Sequence, residues 1–311
     1  MRQFLVMVLA SLAAMPAYAT EDAPRPIDLP GNRLFPESVA IGAHGTAYVS
    51  GMSGDILWVN LATGEVEAWI APGTYGAGAL FGVLADARNG LLWTCTNDFS
   101  ARGVSVAGAD AGTWLKAFDL ATGEGRISLP LPGESAICND IAVDAQGAVY
   151  VADTANPRIL RWEAGSDALE VWKEDAVFGG GLDGLAFGAD GHLYINNVRT
   201  GALYRVDVNA DSEAGDVTTL QTSRPLTSPD GMRPMSGMSF VLAEGGGKIS
   251  RLDVNGDSVE VTTLAEGLTQ PTGVDVIDGT LWYVEGQLSP LFNPNMPQPS
   301  LPFKLTPVKN R

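Results

Sequence analysis

The chain has 311 residues, and 19 Lys and Arg against 36 Asp and Glu give a formal charge of −17. That balance argues against nucleic acid or an anionic membrane surface as a partner, because both are bound through basic faces. With 37 Gly, 19 Pro and no convincing amphipathic helix, the composition favours many short strands joined by turns.

The first element is a targeting segment. Arg2 is followed by the apolar run from Phe4 to Ala14, too short to span a bilayer comfortably, and Ala17-Tyr18-Ala19 has the small-x-small form of a signal-peptidase site. A signal peptide over residues 1–19 predicts an exported, periplasmic or secreted protein whose mature chain starts near Thr20. No later stretch is long and apolar enough for a membrane span.

Residues 20–311 carry a repeat that predicts one domain. An acid or amide, a small residue and an apolar stretch are followed by a Gly about eight positions on and an aromatic three further. The pattern reads Glu37-Ser38-Val39-Ala40-Ile41 with Gly45 and Tyr48. It returns as Asn139-Asp140-Ile141-Ala142-Val143 with Gly147 and Tyr150, and as Asp183-Gly184-Leu185-Ala186-Phe187 with Gly191 and Tyr194. Looser copies start at Phe81, Asp230 and Thr272. A period of roughly 40 to 50 residues with several strands per repeat is the signature of propeller blades. The predicted fold is therefore all-β, a six-bladed β-propeller with four-stranded blades.

The best-formed repeat predicts strands over 139–143, 148–152, 158–162 and 169–172. The turn Ala62-Thr63-Gly64-Glu65 recurs as Ala121-Thr122-Gly123-Glu124 in the next blade. In blade five, Arg233-Pro234-Met235 interrupts the inner strand, and proline cannot donate to a central ladder, so a short or bulged strand is expected. The last blade lacks a fourth strand, which the segment around Arg25 to Leu29 is expected to supply, leaving no open edge. Residues 293–302 are expected to loop over one face. Cys95 and Cys138 fall at strand ends on the same face; a disulfide and two buried thiols are both compatible with that placement.

Equivalent positions of a propeller converge on its axis. The axial series is Glu37, Phe81, Asn139, Asp183, Asp230 and Thr272. Four of these, Glu37, Asn139, Asp183 and Asp230, bring oxygen donors to one spot, which is how a hard divalent cation is held. Taken singly, Pro36-Glu37, Asp183-Gly184 and Pro229-Asp230-Gly231 are compatible with ordinary turns; the shared register is what argues for a metal site. Calcium is the expected ion, with zinc, manganese and magnesium as alternatives. Coordination left open in such a site would let the metal polarise a carbonyl or phosphoryl oxygen.

The entry Phe35-Pro36-Glu37, the segments Cys138-Asn139-Asp140 and Val149-Tyr150-Val151-Ala152-Asp153, and Ser228-Pro229-Asp230-Gly231-Met232 resemble the senescence marker protein/gluconolactonase family, which is related to paraoxonases and diisopropyl fluorophosphatase. The resemblance implies a six-bladed propeller with a divalent metal, often calcium, in its tunnel. It matches Glu37, Asp183 and Asp230 to metal ligands, Asn139 to a ligand or substrate contact, and Asp230 to the catalytic base. The family usually has Asn at the Asp183 position, so this site carries an extra carboxylate.

His44 and His192 are the only histidines, and both fall in turns on the opposite face, so a carboxylate base fits better than a histidine. Asp140 is read either as orienting the Asn139 amide or as a solvated turn acid. Arg224 and Arg233 are read mainly as loop charges, with a contact to a sugar hydroxyl or product carboxylate as the alternative. Phe81 is read as a plug or hydrophobic wall, and the strand tryptophans as packing between blades. The expected activity is hydrolysis of a small lactone or related ester. A phosphotriesterase-like hydrolase and a non-catalytic binding propeller with a structural calcium are the rivals.

Overall fold

Each repeat folds as an antiparallel meander, most of its strands being joined by turns too short for a parallel crossover. The computed structural model describes residues 24–309; the targeting segment at 1–19 lies outside the described residues. The inner strands of blades one to six are Pro36–Ile41, Ala79–Asp86, Cys138–Val143, Leu182–Phe187, Pro229–Pro234 and Pro271–Ile277. Each predicted axial residue falls on its own inner strand. The six sheets are four-stranded except that of blade five, which gains the short parallel strand Gln221–Thr222 at its outer edge.

Blade six is closed by the start of the chain. Ile27–Leu29 pairs antiparallel with Phe303–Lys309, Ile27 opposite Leu305 and Leu29 opposite Phe303. The ring therefore ends without the open edge that the missing fourth strand would have left.

The core lies between blades. Val39, Val49, Val151, Leu160 and Leu115 are buried in one apolar cluster that runs through blades six, one, two and three. Trp93 and Trp162 meet across blades two and three with ring centroids 5.3 Å apart, as inter-blade packing predicts. Among the described residues the longest helix is the single turn Ser289–Phe292, and none is long and apolar enough to cross a membrane. The turn leads into the loop through residue 302.

Blade five differs from expectation. Its inner strand Pro229–Pro234 is six residues long, and its register break, between Pro229 and Met232, is the one found in every other inner strand. Pro234 costs little because it ends the strand, opposite Phe240.

Cys95 and Cys138 form a disulfide joining the second strand of blade two to the inner strand of blade three, 43 residues apart in sequence. The Asn97 side chain doubles this link, its Nδ2 donating to the Cys138 carbonyl and its Oδ1 accepting the Cys138 N–H. Replacing both cysteines by serine is expected to lower the unfolding free energy by about 2–4 kcal/mol, read from urea denaturation. An unchanged midpoint would show that the amide pair and packing alone hold these blades together.

Candidate active site

In all six inner strands one extra residue interrupts the pairing with the second strand, and the axial residue lies at that interruption. A bulge of this kind re-aims a side chain out of the regular alternation. The approach to the axis is also shaped two residues earlier. Phe35, Ser228 and Gln270 take left-handed backbone (φ 44°, 49° and 54°) ahead of Glu37, Asp230 and Thr272, and Gly181 does so ahead of Asp183. Non-glycine residues in that region carry a conformational cost and concentrate at functional sites.

The residue after the axial one is where neighbouring blades touch. A Cβ on Gly184 would stand 2.2 Å from the Asp230 carbonyl oxygen, one on Gly82 2.5 Å from that of Asn139, and one on Gly231 2.7 Å from that of Thr272. Hydrogen bonds run round the same level. Ser50 Oγ donates to the Phe81 carbonyl at 2.5 Å, Thr154 Oγ1 to that of Leu182 at 2.6 Å, Asn196 Nδ2 to that of Asp230 at 2.7 Å, and Thr272 Oγ1 to that of Pro36 at 3.2 Å. The inner strands that carry Glu37, Phe81, Asp183 and Asp230 are thus each hung from the neighbouring blade.

Glu37, Asn139 and Asp183 are buried, and Asp230 is the most exposed of the four. Asn139 donates from Nδ2 to Asp183 Oδ2 and to Thr154 Oγ1, both at 2.9 Å. The donor half of the amide is thereby committed, and its oxygen is the atom left to serve as a ligand. Asp183 Oδ1 is buried without a hydrogen-bond partner. Asp230 Oδ1 accepts the Gly231 N–H at 2.9 Å, and its charge is felt by Asp183.

Burial, then the charge of Asp230, holds the Glu37 and Asp183 carboxyls well above the usual carboxylate range. Asp230 itself is pushed up to about 8, chiefly by burial, against the opposing pull of the Gly231 N–H. Among the described residues no three acidic, cysteine or histidine side chains already stand as a closed metal-binding cluster. The donors nonetheless fit a hard cation. They are all oxygens, one of them is an orphaned buried carboxylate oxygen, and their mutual repulsion is what a positive charge relieves. Asn139 and water would complete the shell.

Two residues read from sequence mainly as loop charges form ion pairs with buried acids. Arg233 is 4 % exposed and grips Asp140, itself 2 % exposed; Asp140 is therefore not a solvated turn acid. Arg224 pairs through both terminal nitrogens with the fully buried Glu244. Sequence reasoning missed Asp275, half-buried in blade six, whose carboxylate accepts the N–H groups of Ile41 and Val276, both at 2.7 Å. It also missed Asn196, which holds Asp230. A signal was present: Asp140 occupies a place taken by Gly or Ser in the other five blades. Arg233 and Asp275 likewise occupy the place of Ala40, Leu84, Ala142 and Ala186.

His44 and His192 stand in turns, as expected, His192 Nδ1 accepting the Val208 N–H. Phe81 meets Phe99 edge-to-face at 5.3 Å, and Phe99 meets Phe292 at 6.1 Å, so an aromatic wall rises from the axial position of blade two. Two clefts of about 240 and 260 Å³ lie away from the axis. One is lined by Asp86, Arg88 and Asp144, the other by Asn97, Phe99 and Val104. Neither contains an axial residue, and the convergence of acids outweighs cavity size as the mark of the site.

The axial register of this six-bladed propeller carries three carboxylates and an amide. Residues 35–275 match the family described as SMP-30/gluconolactonase/LRE-like region, and the chain belongs to that family. No curated protein sequence matches it. Solved structures share the fold at low identity. A gluconolactonase from Xanthomonas campestris is 16% identical, covering 93% of this chain and 96% of its own, with a TM-score of 0.62. A luciferin-regenerating enzyme is 11% identical over 92% and 95%, at 0.65. A virginiamycin B lyase from Staphylococcus aureus is 16% identical over 92% and 99%, at 0.62.

Two outcomes follow from this geometry. Gly184→Ala pushes its methyl onto the Asp230 backbone, so it is expected to cost about 1–3 kcal/mol; wild-type stability in denaturant titration would show slack between blades four and five. In chelator, the raised acids keep protons that the unfolded chain releases near pH 4, so the native state binds more protons than the unfolded one between about pH 4 and 8. Stability then falls as pH rises through that window, and a melting temperature that climbs instead would mean that the acids are not held protonated.

Proposed function

We propose that the protein is a metal-dependent hydrolase of small lactones or related esters, exported from the cytoplasm. The observation that carries this reading is the meeting of Glu37, Asn139, Asp183 and Asp230 at one level of the axis, with Asp183 Oδ1 unpartnered, in a chain of the SMP-30/gluconolactonase/LRE-like family. A gluconolactonase among the structures of like fold agrees with it. Export rests on the leader-like residues 1–19, and the Cys95–Cys138 disulfide agrees with an oxidising compartment.

Glu37, Asn139, Asp183 and Asp230 would hold the cation, with calcium the ion their oxygens suit best. When bound, it supplies Lewis-acid polarisation of the ester carbonyl oxygen. Asp230 is assigned as the general base. It is the most exposed of the four, one oxygen is fixed by the Gly231 N–H, and its backbone is held by Asn196. With its pKa near 8, it is largely protonated at neutral pH when no cation is present; positive charge beside it restores the ionised form that a base requires. Asn139 and Thr154 keep Asp183 oriented, and the Phe81–Phe99–Phe292 wall shields one side from water.

The test is metal analysis of the purified protein with a lactone-hydrolysis assay before and after chelation and calcium or zinc add-back. About one bound metal and activity that vanishes and returns are expected. Asp230→Asn is expected to lower turnover at least about 100-fold, the usual scale for a lost general base, with circular dichroism unchanged. Full lactonase activity in that variant would remove Asp230 from its role, and no metal uptake at all would overturn the reading.

A further inference from the structure

The geometry assigns Arg233 as a positioning residue for the candidate centre, a strut across the tunnel that sets where Asn139 stands relative to Asp230. This assignment rests on the proposed metal site. Arg233 lies three residues beyond Asp230 on the inner strand of blade five. Its Nη1 donates to Asp140 Oδ2 at 2.7 Å and its Nη2 to Asp140 Oδ1 at 3.0 Å, a bidentate pair reaching blade three past the whole of blade four. Nη2 also donates to the Val83 carbonyl of blade two at 3.0 Å, and Nη1 to the Met232 carbonyl at 2.8 Å. One planar group thus ties three inner strands together.

The contacts differ from those elsewhere on the ring. Blades four, five and six meet the next blade through a glycine after the axial residue, Gly184, Gly231 and Gly273, with no room for a side chain. Blade three has Asp140 there, directly after Asn139; it lies against Gly82 of blade two, and its carboxylate is gripped from blade five by Arg233. Asp140 and Arg233 are both buried, with side chains 3 % and 5 % exposed. Neither charge is available to solvent or substrate, so the pair works through position. A carboxylate held at both oxygens by a guanidinium fork has one orientation, and the peptide joining Asn139 to Asp140 inherits it. The half-buried Asp275 spends its oxygens on Ile41 and Val276 and does not substitute for Asp140.

Arg233→Met alone strands a buried carboxylate and is expected to fold poorly. The informative variant is the double substitution Arg233→Met with Asp140→Leu, which removes both charges and keeps apolar volume. Arg233→Lys, which keeps the charge but loses the fork, is its companion. Calcium affinity is measured by titration calorimetry on the full chain, beside thermal melts and kcat and KM for a lactone. The double variant is expected to melt cooperatively yet bind calcium about 10- to 100-fold more weakly, the usual effect of removing a group that orients a ligand. Arg233→Lys should fall between it and wild type, and kcat should drop more than KM rises. Wild-type calcium affinity in a folded double variant would overturn the strut assignment alone. No calcium uptake by the wild-type protein would overturn the metal-site reading, and the assignment with it.

Discussion

Bringing three carboxylates into a protein interior is the constraint on which the rest of this structure turns. Glu37, Asp183 and Asp230 repel one another and lose hydration together, and their raised pKa values measure that cost. A loose scaffold would relieve it by letting the side chains swing apart. Here they cannot, because each axial strand is fixed by a bulge, by close backbone contact and by a hydrogen bond from the neighbouring blade. The stability that maintains the arrangement comes from apolar packing between blades, away from the axis. Separating the two lets the ring hold a strained centre without weakening its core.

The central charges also divide by level. Asp140 and Arg233 neutralise each other, and Asp275 is satisfied by two backbone N–H groups. Among the described residues, none of Glu37, Asp183 and Asp230 forms an ion pair, and of the three only Glu37 feels the charge of Arg233. The protein therefore answers a buried acid with a guanidinium or backbone where rigidity serves, and leaves acids uncompensated where a ligand of opposite charge would bind.

Much of this was legible in the sequence. The repeat located all six inner strands, because the alternation and the turn glycines are local properties that do not depend on tertiary context. The axial register named the four oxygen donors for the same reason. The closing strand followed from counting, since a blade without a fourth strand needs one from elsewhere. The roles of Asp140, Arg233 and Asp275 were not legible, because their partners lie on other blades and Asp140 and Arg233 are 93 residues apart. The proline of blade five misled in the opposite direction. Pro234 falls at the strand's last position, where a missing donor disrupts nothing. Periodicity fixes where a strand runs; it does not say which charged side chains meet across a tunnel.

Ile27 to Leu29 on Phe303 to Leu305 is, among the described residues, the strand pairing of longest range in sequence. Topologically it makes the described backbone close to a circle, with its first and last strands in a single blade. Contacts of such long range form late, because nearly every intervening residue must be confined before the two segments can meet. Five blades can assemble as local meanders while the chain is still open. The axial residues, however, converge only when the circle shuts. The pairing of these two strands is thus what turns a row of blades into a ring, and the candidate centre comes into being with that closure.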